Sequence, residues 1–307
     1  MDFNHISVLL SESVESLKIK PDGIYVDCTA GGGGHSAAVL SELGANGRMV
    51  LIDRDPDAIE VLRERFASDG RVTVVSDNYS NLKSILCELK IDSVDGIIAD
   101  LGVSSHQLDT AERGFSFHND APLDMRMSRQ GVSAADVVNS YSEAELAAVI
   151  RRYGEEPFAK QIASAIVRAR AKKRIETTLE LSDIVSNAVP AKYRRAGHPA
   201  RKSFQAIRIE VNGELDALKN TLPDMFDVLK TGGVLSIITF HSLEDKIVKD
   251  YFATLKEGCT CPKDFPVCVC GKKPKAIVKS GGTKVSHDEV DSNNRSRSAK
   301  LRTAEKL

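Results

Sequence analysis

The sequence predicts an α/β protein: a doubly wound parallel sheet with a block of helices inserted into it. Three observations predict this. Short apolar runs alternate with helix-spaced segments from Ile24 to Asp100, the alternation stops near His106, and it resumes after Gly232-Gly233. Strands alternating with helices imply parallel pairing through right-handed crossovers.

Taken in order, Ile24 to Cys28 (IYVDC) is a short apolar strand that runs through Gly31, Gly32, Gly33 and Gly34 into a helical stretch from His35 to Leu43. Arg48 to Ile52 is a second strand ending in Asp53; Pro56 suits a first helical turn, and Ala58 to Phe66 has helical spacing. Arg71 to Val75, Leu82 to Leu89 and Val94 to Ala99 read as strand, helix and strand, the last ending in Asp100. From about His106 to Asn139 the chain is polar and irregular. Helical patterns then cover Glu143–Tyr153, Pro157–Lys173, Leu179–Ala188 and about Ala200 to Lys219. The fifth strand is VLSIITF, Val234 to Phe240, followed by a helix from Leu243 to Leu255; Ala276–Lys279 and Ser298–Thr303 are short runs suited to completing the sheet. The expected division is 1–108 and 213–307 for the sheet domain and 109–212 for the insertion.

A chain of 307 residues with 42% hydrophobic and 28% charged residues has the makeup of a soluble globular protein and excludes wholesale disorder. It has no apolar run long enough to span a membrane, and its first residues, MDFNHISVLLSESVESL, lack the basic start of a secretory signal, so a cytoplasmic location is expected. The net charge of −1 conceals an asymmetry. Residues 151–210 hold 14 Lys/Arg and 6 Asp/Glu, or +8, which leaves 28 basic and 37 acidic residues, or −9, elsewhere. The insertion therefore carries the footprint of a phosphate-backbone binder, against the plainer reading of solvated basic helix faces.

In open parallel sheets, ligands bind beyond the carboxyl ends of the strands. Here that rim holds the glycine run and four acids, Asp27, Asp53, Asp77 and Asp100, one after each of the first four strands. A dinucleotide would use the glycine turn and Asp53, but its pyrophosphate would be repelled by Asp27 and Asp100. S-adenosylmethionine carries a sulfonium and an ammonium, which favour acids, and its carboxylate suits the loop amides. Asp53 would accept the ribose hydroxyls and Tyr79 would lie against the adenine.

Eleven motifs, in order along nearly the whole chain, carry a resemblance to a known family. They are HISVLL from His5, VDCTAGGGGHS from Val26, LIDRD from Leu51, NYSNL from Asn78, DLGVSSHQLD from Asp100, GFSF from Gly114, PLDMRM from Pro122, GEEPFAKQIA from Gly154, SFQAIRIEVNGEL from Ser203, GGVLSIITFHSLEDKIVK from Gly232 and SRSAKLR from Ser296. The combination resembles the RsmH (MraW) family. That resemblance implies a Rossmann-like class I methyltransferase sheet with an inserted substrate domain. It implies methylation by S-adenosylmethionine of the exocyclic N4 of a cytidine in the decoding region of small-subunit ribosomal RNA, with that RNA or the small subunit as partner. Cofactor contacts implied by motif are Gly33, Gly34, His35, Asp53, Tyr79, Asp100 and Gln107.

Methyl transfer is an in-line displacement that depends on alignment, and the cytosine amine needs an acceptor for its hydrogen bond and, in the end, its proton. Many amino methyltransferases place an Asp/Asn/Ser-Pro-Pro-aromatic turn after the fourth strand; this chain has Asp100-Leu101-Gly102-Val103 there. Asp100 is the first candidate acceptor, with Ser104, Ser105 and His241 as alternatives. The plainer roles for these three are a helix cap for the serines and a turn-holder for His241. Phe115, Phe117 and Phe240 are candidate platforms for an extruded base, or else core residues. Arg168, Arg170, Lys172, Lys173, Arg174, Arg194, Arg195, Arg201 and Lys202 are candidate phosphate contacts. Two readings from other classes are a catalytically idle RNA-binding assembly factor and a nucleotide-dependent dehydrogenase. Cys28 and Cys87 read as buried apolar residues, whereas Cys259, Cys261, Cys268 and Cys270 form a cluster that suits a structural zinc or a metal-free loop.

Overall fold

The computed structural model describes residues 7–258, 267 and 270–307, and the side chains of all of these except 194–196. The chain folds as two compact units, Met1–Gly102 with Leu215–Leu307, and Val103–Glu214.

The first unit is built on β1 (Ile24–Asp27), β2 (Arg48–Asp53), β3 (Val72–Ser76), β4 (Val94–Asp100), β5 (Leu229–Thr239), β6 (Ala276–Val278), β7 (Thr283–Lys284) and β8 (Lys300–Lys306). The sheet order is β3-β2-β1-β4-β5-β8-β6, with β7 also paired to β8. The first five strands are parallel and β8 is antiparallel to β5. Strand order reverses between β1 and β4, which makes their carboxyl ends the switch point where such sheets take ligands.

Both faces of the sheet are covered, so the strands are continuously apolar with a period of two. Tyr25, Met49, Leu51, Ile98 and Val234 meet α1 (Leu10–Leu17), α2 (Gly34–Glu42) and α3 (Pro56–Arg65). Val26, Val50, Ile52, Ile97, Ala99, Leu235 and Ile237 meet α4 (Leu82–Glu88), α11 (Glu214–Asp227) and α12 (Ser242–Lys256). Helix α1 was not anticipated. Cys28 is buried as expected, but Cys87 is exposed on the outside of α4. A last short helix, α13 (His287–Ser292), precedes β8.

The second unit is helical: α5 (Ser105–Asp109), α6 (Ala134–Ser140), α7 (Glu143–Gly154), α8 (Ala159–Arg170), α9 (Thr178–Ala188) and α10 (Ala200–Asn212). Its core joins α6 through α10 by way of Val137, Leu146, Ile150, Ile162, Ile166, Leu181, Val185, Phe204 and Ile207. Two features depart from the sequence pattern. Helix α6 forms inside the segment read as irregular, begun by reciprocal hydrogen bonds between Ser133 and Asp136. The single helix expected from Ala200 to Lys219 is two helices, because Gly213 adopts a left-handed φ of 59° and closes α10 with an N–H bond to the Glu210 carbonyl.

The irregular stretch before α6 is held by side chains rather than by ladders. Asn212 Oδ1 accepts the Met127 N–H at 2.9 Å while Nδ2 donates to the Met125 carbonyl at 2.7 Å. Buried Arg113 donates to the carbonyls of Arg126 and Met127 at 3.0 and 2.9 Å. Gly114 allows the close turn: its φ is +71°, and a Cβ would come within 2.3 Å of the Pro122 carbonyl oxygen.

Among the described residues, no helix is long and apolar enough to cross a membrane, and no group of three His, Cys, Asp or Glu is placed to hold a metal ion. Of the clustered cysteines, Cys259, Cys261 and Cys268 lie outside the described residues, and Cys270 is exposed.

Asn212→Ala leaves two backbone groups of the 125–127 turn without their partner. It is expected to lower stability by about 1–3 kcal/mol in urea unfolding of the full chain. A change within a few tenths of wild type would show that the turn does not depend on this side chain.

Candidate active site

At the carboxyl end of the parallel sheet, β3, β2, β1 and β4 stand side by side, so Asp77, Asp53, Asp27 and Asp100 follow one another along the rim. Asp27 is buried beneath the glycine loop. Its Oδ2 accepts the Ser36 hydroxyl at 2.7 Å and its Oδ1 the Thr29 N–H at 3.1 Å. Asp53 braces the loop from the next strand, accepting the Gly31 N–H at 2.8 Å on Oδ2 and the Asp55 N–H at 2.8 Å on Oδ1. Asp77 stays local, binding the Asn78 N–H and the Asn81 amide.

Asp100 is different. Its backbone N–H donates to Thr29 Oγ1 at 2.6 Å, but its buried Oδ1 has no hydrogen-bond partner. Buried polar atoms are almost always partnered, so an orphan carboxylate oxygen at a ligand-binding rim marks a place for a donor. His35 faces it, with Nδ1 3.9 Å from Asp100 Oδ2. His35 Nε2 lies 2.9 Å from the Val8 carbonyl, which can only accept, so the proton sits on Nε2.

Burial disfavours the ionised form of all three inner acids. It lifts Asp27 and Asp53 to about 6 and Asp100 to about 7, and for Asp100 the nearby charges of Asp27 and Glu244 add to the rise while His35 opposes it. Three carboxylates short of solvation at adjacent strand ends form a trap for positive charge.

The glycine loop owes part of its composition to its own packing. A Cβ on Gly33 would lie 2.7 Å from the Phe66 ring, and one on Gly34 would lie 2.0 Å from Ser7 Oγ. Gly31 has no such neighbour, and its N–H is spent on Asp53. Ser7 and Val8 thus close over the loop, which accounts physically for the pairing of the HISVLL and VDCTAGGGGHS motifs; His5 itself lies outside the described residues. Arg65 adds a bond to the Gly32 carbonyl.

The structure brings Gly33, Gly34, His35, Asp53 and Asp100 to one rim in the first unit. Tyr79 follows β3 in a short turn capped by Asn78 and packs half-buried against the sheet core. Gln107 belongs to the second unit, where its Oε1 accepts the Ser104 N–H at 3.0 Å and Ser104 Oγ accepts the Gln107 N–H at 3.1 Å. Ser104 is therefore a helix cap. His241 is also a cap: Nδ1 accepts the Glu244 N–H at 3.4 Å, and Nε2 lies 3.1 Å from Glu244 Oε1 without hydrogen-bond alignment. Glu244, buried and bonded to the N–H groups of Phe240 and His241, is a contributor to the rim that the sequence pattern did not single out. Among the aromatic candidates, Phe115 is core, while Phe117 and Phe240 are half-buried.

Residues 2–307 match the MraW methylase family. The chain belongs to that family. The Ribosomal RNA small subunit methyltransferase H of Clostridium botulinum (strain Kyoto / Type A2) is 54% identical over 100% of both chains. The protein of the same name from Lachnospira eligens is 54% identical over 100% of this chain and 99% of its own. This methylase is an S-adenosylmethionine-dependent methyltransferase. Its rim fits that cofactor: three desolvated acids at adjacent strand ends suit a ligand bearing a sulfonium and an ammonium.

The raised acids make a signed prediction. A carboxyl whose folded pKa is raised costs nothing below its unfolded value near 4, and costs progressively more as pH rises to the folded value. About a fifth of the Asp100 side chain remains accessible (21%), so water tempers the effect. Asp100→Asn is expected to stabilise the ligand-free methylase by about 1–3 kcal/mol at pH 8, and by less at pH 5, in chemical unfolding. A gain that does not grow with pH would mean that Asp100 is not desolvated.

Proposed function

We propose that this methylase transfers a methyl group to the exocyclic N4 of a cytidine in the decoding region of small-subunit ribosomal RNA, with the helical unit binding the RNA. Relatives matched end to end bear the name of a small-subunit ribosomal RNA methyltransferase, which supports the substrate. The choice of N4 rests on the family resemblance and on one observation above all, the unpartnered Oδ1 of Asp100.

When bound, S-adenosylmethionine supplies an electrophilic methyl group on its sulfonium. The protein supplies placement and a proton acceptor. The Gly34 N–H, at the first residue of α2, suits the cofactor's carboxylate, and Gly33, whose own N–H bonds the Ala30 carbonyl, shapes the turn that presents it. Asp53 is already fixed by Gly31 and Asp55 and keeps lone pairs for the two ribose hydroxyls. Tyr79 provides a ring for the adenine, and Gln107 is the further contact that the family resemblance implies. Asp100 would accept a hydrogen bond from the cytosine amine, which concentrates the nitrogen lone pair, and would take the released proton as the nitrogen–methyl bond forms and the methyl–sulfur bond breaks. An acid lifted to about 7 is suited to hold that proton near neutral pH.

The charges of the helical unit divide into two groups. Arg170 donates to the Val138 carbonyl, Lys173 pairs with Glu180, Arg174 pairs with Asp136 and Lys202 donates to the Glu155 carbonyl. These four have structural engagements. Arg168, Lys172 and Arg201 are exposed and are the better phosphate contacts, Arg168 with one local bond to the Ser164 hydroxyl. The side chains of Arg194 and Arg195 lie outside those described.

Two measurements test the division of labour. Asp53→Ala should weaken S-adenosylmethionine binding by about ten- to a hundredfold in calorimetry, the loss of charge-assisted hydrogen bonds; unchanged affinity removes Asp53 from the site. Arg168→Ala with Lys172→Ala should weaken RNA binding and reduce its salt slope by roughly 0.7–0.9 per lost contact, with cofactor affinity retained. RNA affinity and slope that match wild type would make these charges a solvated face.

A further inference from the structure

We propose that the outer face of His198, in the helical unit, is a stacking platform for an unpaired base of the RNA, backed by Phe117 and flanked by Arg201 as a phosphate contact. The proposal rests on the reading of this unit as RNA-binding.

The geometry is that of an unfinished stack. Phe117 is half-buried and anchored by an edge-on contact to Phe204 of α10, with ring centroids 5.4 Å apart and planes at 81°. His198 lies flat on Phe117, 4.4 Å between centroids and 18° between planes, and is itself exposed. His118, also exposed, leans on the Phe117 ring at 4.5 Å and presents an edge to His198 at 5.9 Å. A core stack is closed by apolar neighbours on both sides. Here the second ring is an imidazole that is itself exposed, and a flat, wet, rigidly backed π-face is what proteins use to hold single-stranded bases.

The imidazole is also fixed in orientation. His198 Nδ1 accepts the Ala200 N–H at 3.3 Å, so the ring proton sits on Nε2, where it can donate to a phosphate or a base edge. Burial and the neighbouring His118 push the His198 pKa down, which keeps the ring neutral beside the protein's own cations. The adjoining first turn of α10 carries exposed Arg201. Base-stacking ring and phosphate-binding guanidinium thus stand three residues apart in one turn of chain.

The plainer account is that His198 does no more than cap the approach to α10. The two accounts separate on substitution. In His198→Asn, the side-chain oxygen can still accept the N–H two residues on, as Asn does in turns, but the ring is lost. In His198→Phe, the ring is kept and the cap bond is lost. The probe is a single-stranded oligoribonucleotide carrying one fluorescent purine analogue, titrated with the full chain, with S-adenosylmethionine affinity measured alongside.

If the ledge binds a base, H198N weakens RNA binding by roughly tenfold or more and removes quenching of the analogue, H198F restores most of both, and cofactor affinity is unchanged throughout. H198N that binds and quenches like wild type overturns the ledge, as does H198F that fails like H198N. If the wild-type chain binds cofactor but no oligoribonucleotide, the reading of the helical unit as RNA-binding falls first and the ledge with it. RNA binding that weakens in the Arg168/Lys172 variant but not in H198N leaves that reading standing and removes only the ledge.

Discussion

Burial of the Asp27 carboxylate at the end of the central strand is the constraint around which the rim is organised. Asp27 lies at the switch point, between β2 and β4, with no cation paired to it among the described residues. Two hydrogen bonds, from Ser36 and Thr29, offset part of its desolvation, and they tie the glycine loop and the start of α2 to the strand. Both neighbours, Asp53 and Asp100, are raised by their own burial, and the residual field of Asp27 adds a smaller rise to each. A ligand bearing positive charge is favoured beside these acids, whereas a pyrophosphate would add repulsion. The preference for a sulfonium cofactor thus follows from charge and burial before any contact is considered.

The loop above this acid is rigid rather than loose. Its glycines are squeezed by Phe66, Ser7 and the requirement for positive φ at Gly31 and Gly33, and its amides and carbonyls are engaged by Asp53, Arg65 and Ala30. A preformed loop loses little entropy when a ligand arrives. The same packing explains why residues at the two ends of the first thirty-five positions must agree in size.

The helical unit shows why a charge count overstates a binding surface. Its basic excess is real, but Arg113, Arg170, Lys173, Arg174, Lys202 and Arg208 serve backbone carbonyls or internal carboxylates. For the RNA binding proposed above, what remains is a few exposed cations and the aromatic surface around His198. Specific placement of a nucleotide then depends on shape and stacking more than on total charge, since phosphate contacts orient a nucleic acid without reading it.

The sheet and its four acidic strand ends were legible in the sequence because a strand buried on both faces must be continuously apolar, and the first polar residue after it marks the rim. The family was legible because its motifs occur in order, and the Ser104 and His241 caps because N-cap chemistry is local. Other features arise between residues far apart in sequence. Asn212 holding the 125–127 turn, Ser7 fixing Gly34, Glu244 reaching the rim and Gly213 dividing one helical pattern into two are settled by hydrogen bonds and steric limits that periodicity does not register. Residue type and position put Asp53 forward for the ribose and Asp100 as the first candidate acceptor, but said nothing of how Asp27, Asp53 and Asp100 are partnered. Only the tertiary structure distinguished them, because partnering depends on neighbours in space: Ser36 and Gly31 engage the first two, and the Oδ1 of Asp100 is left without a donor.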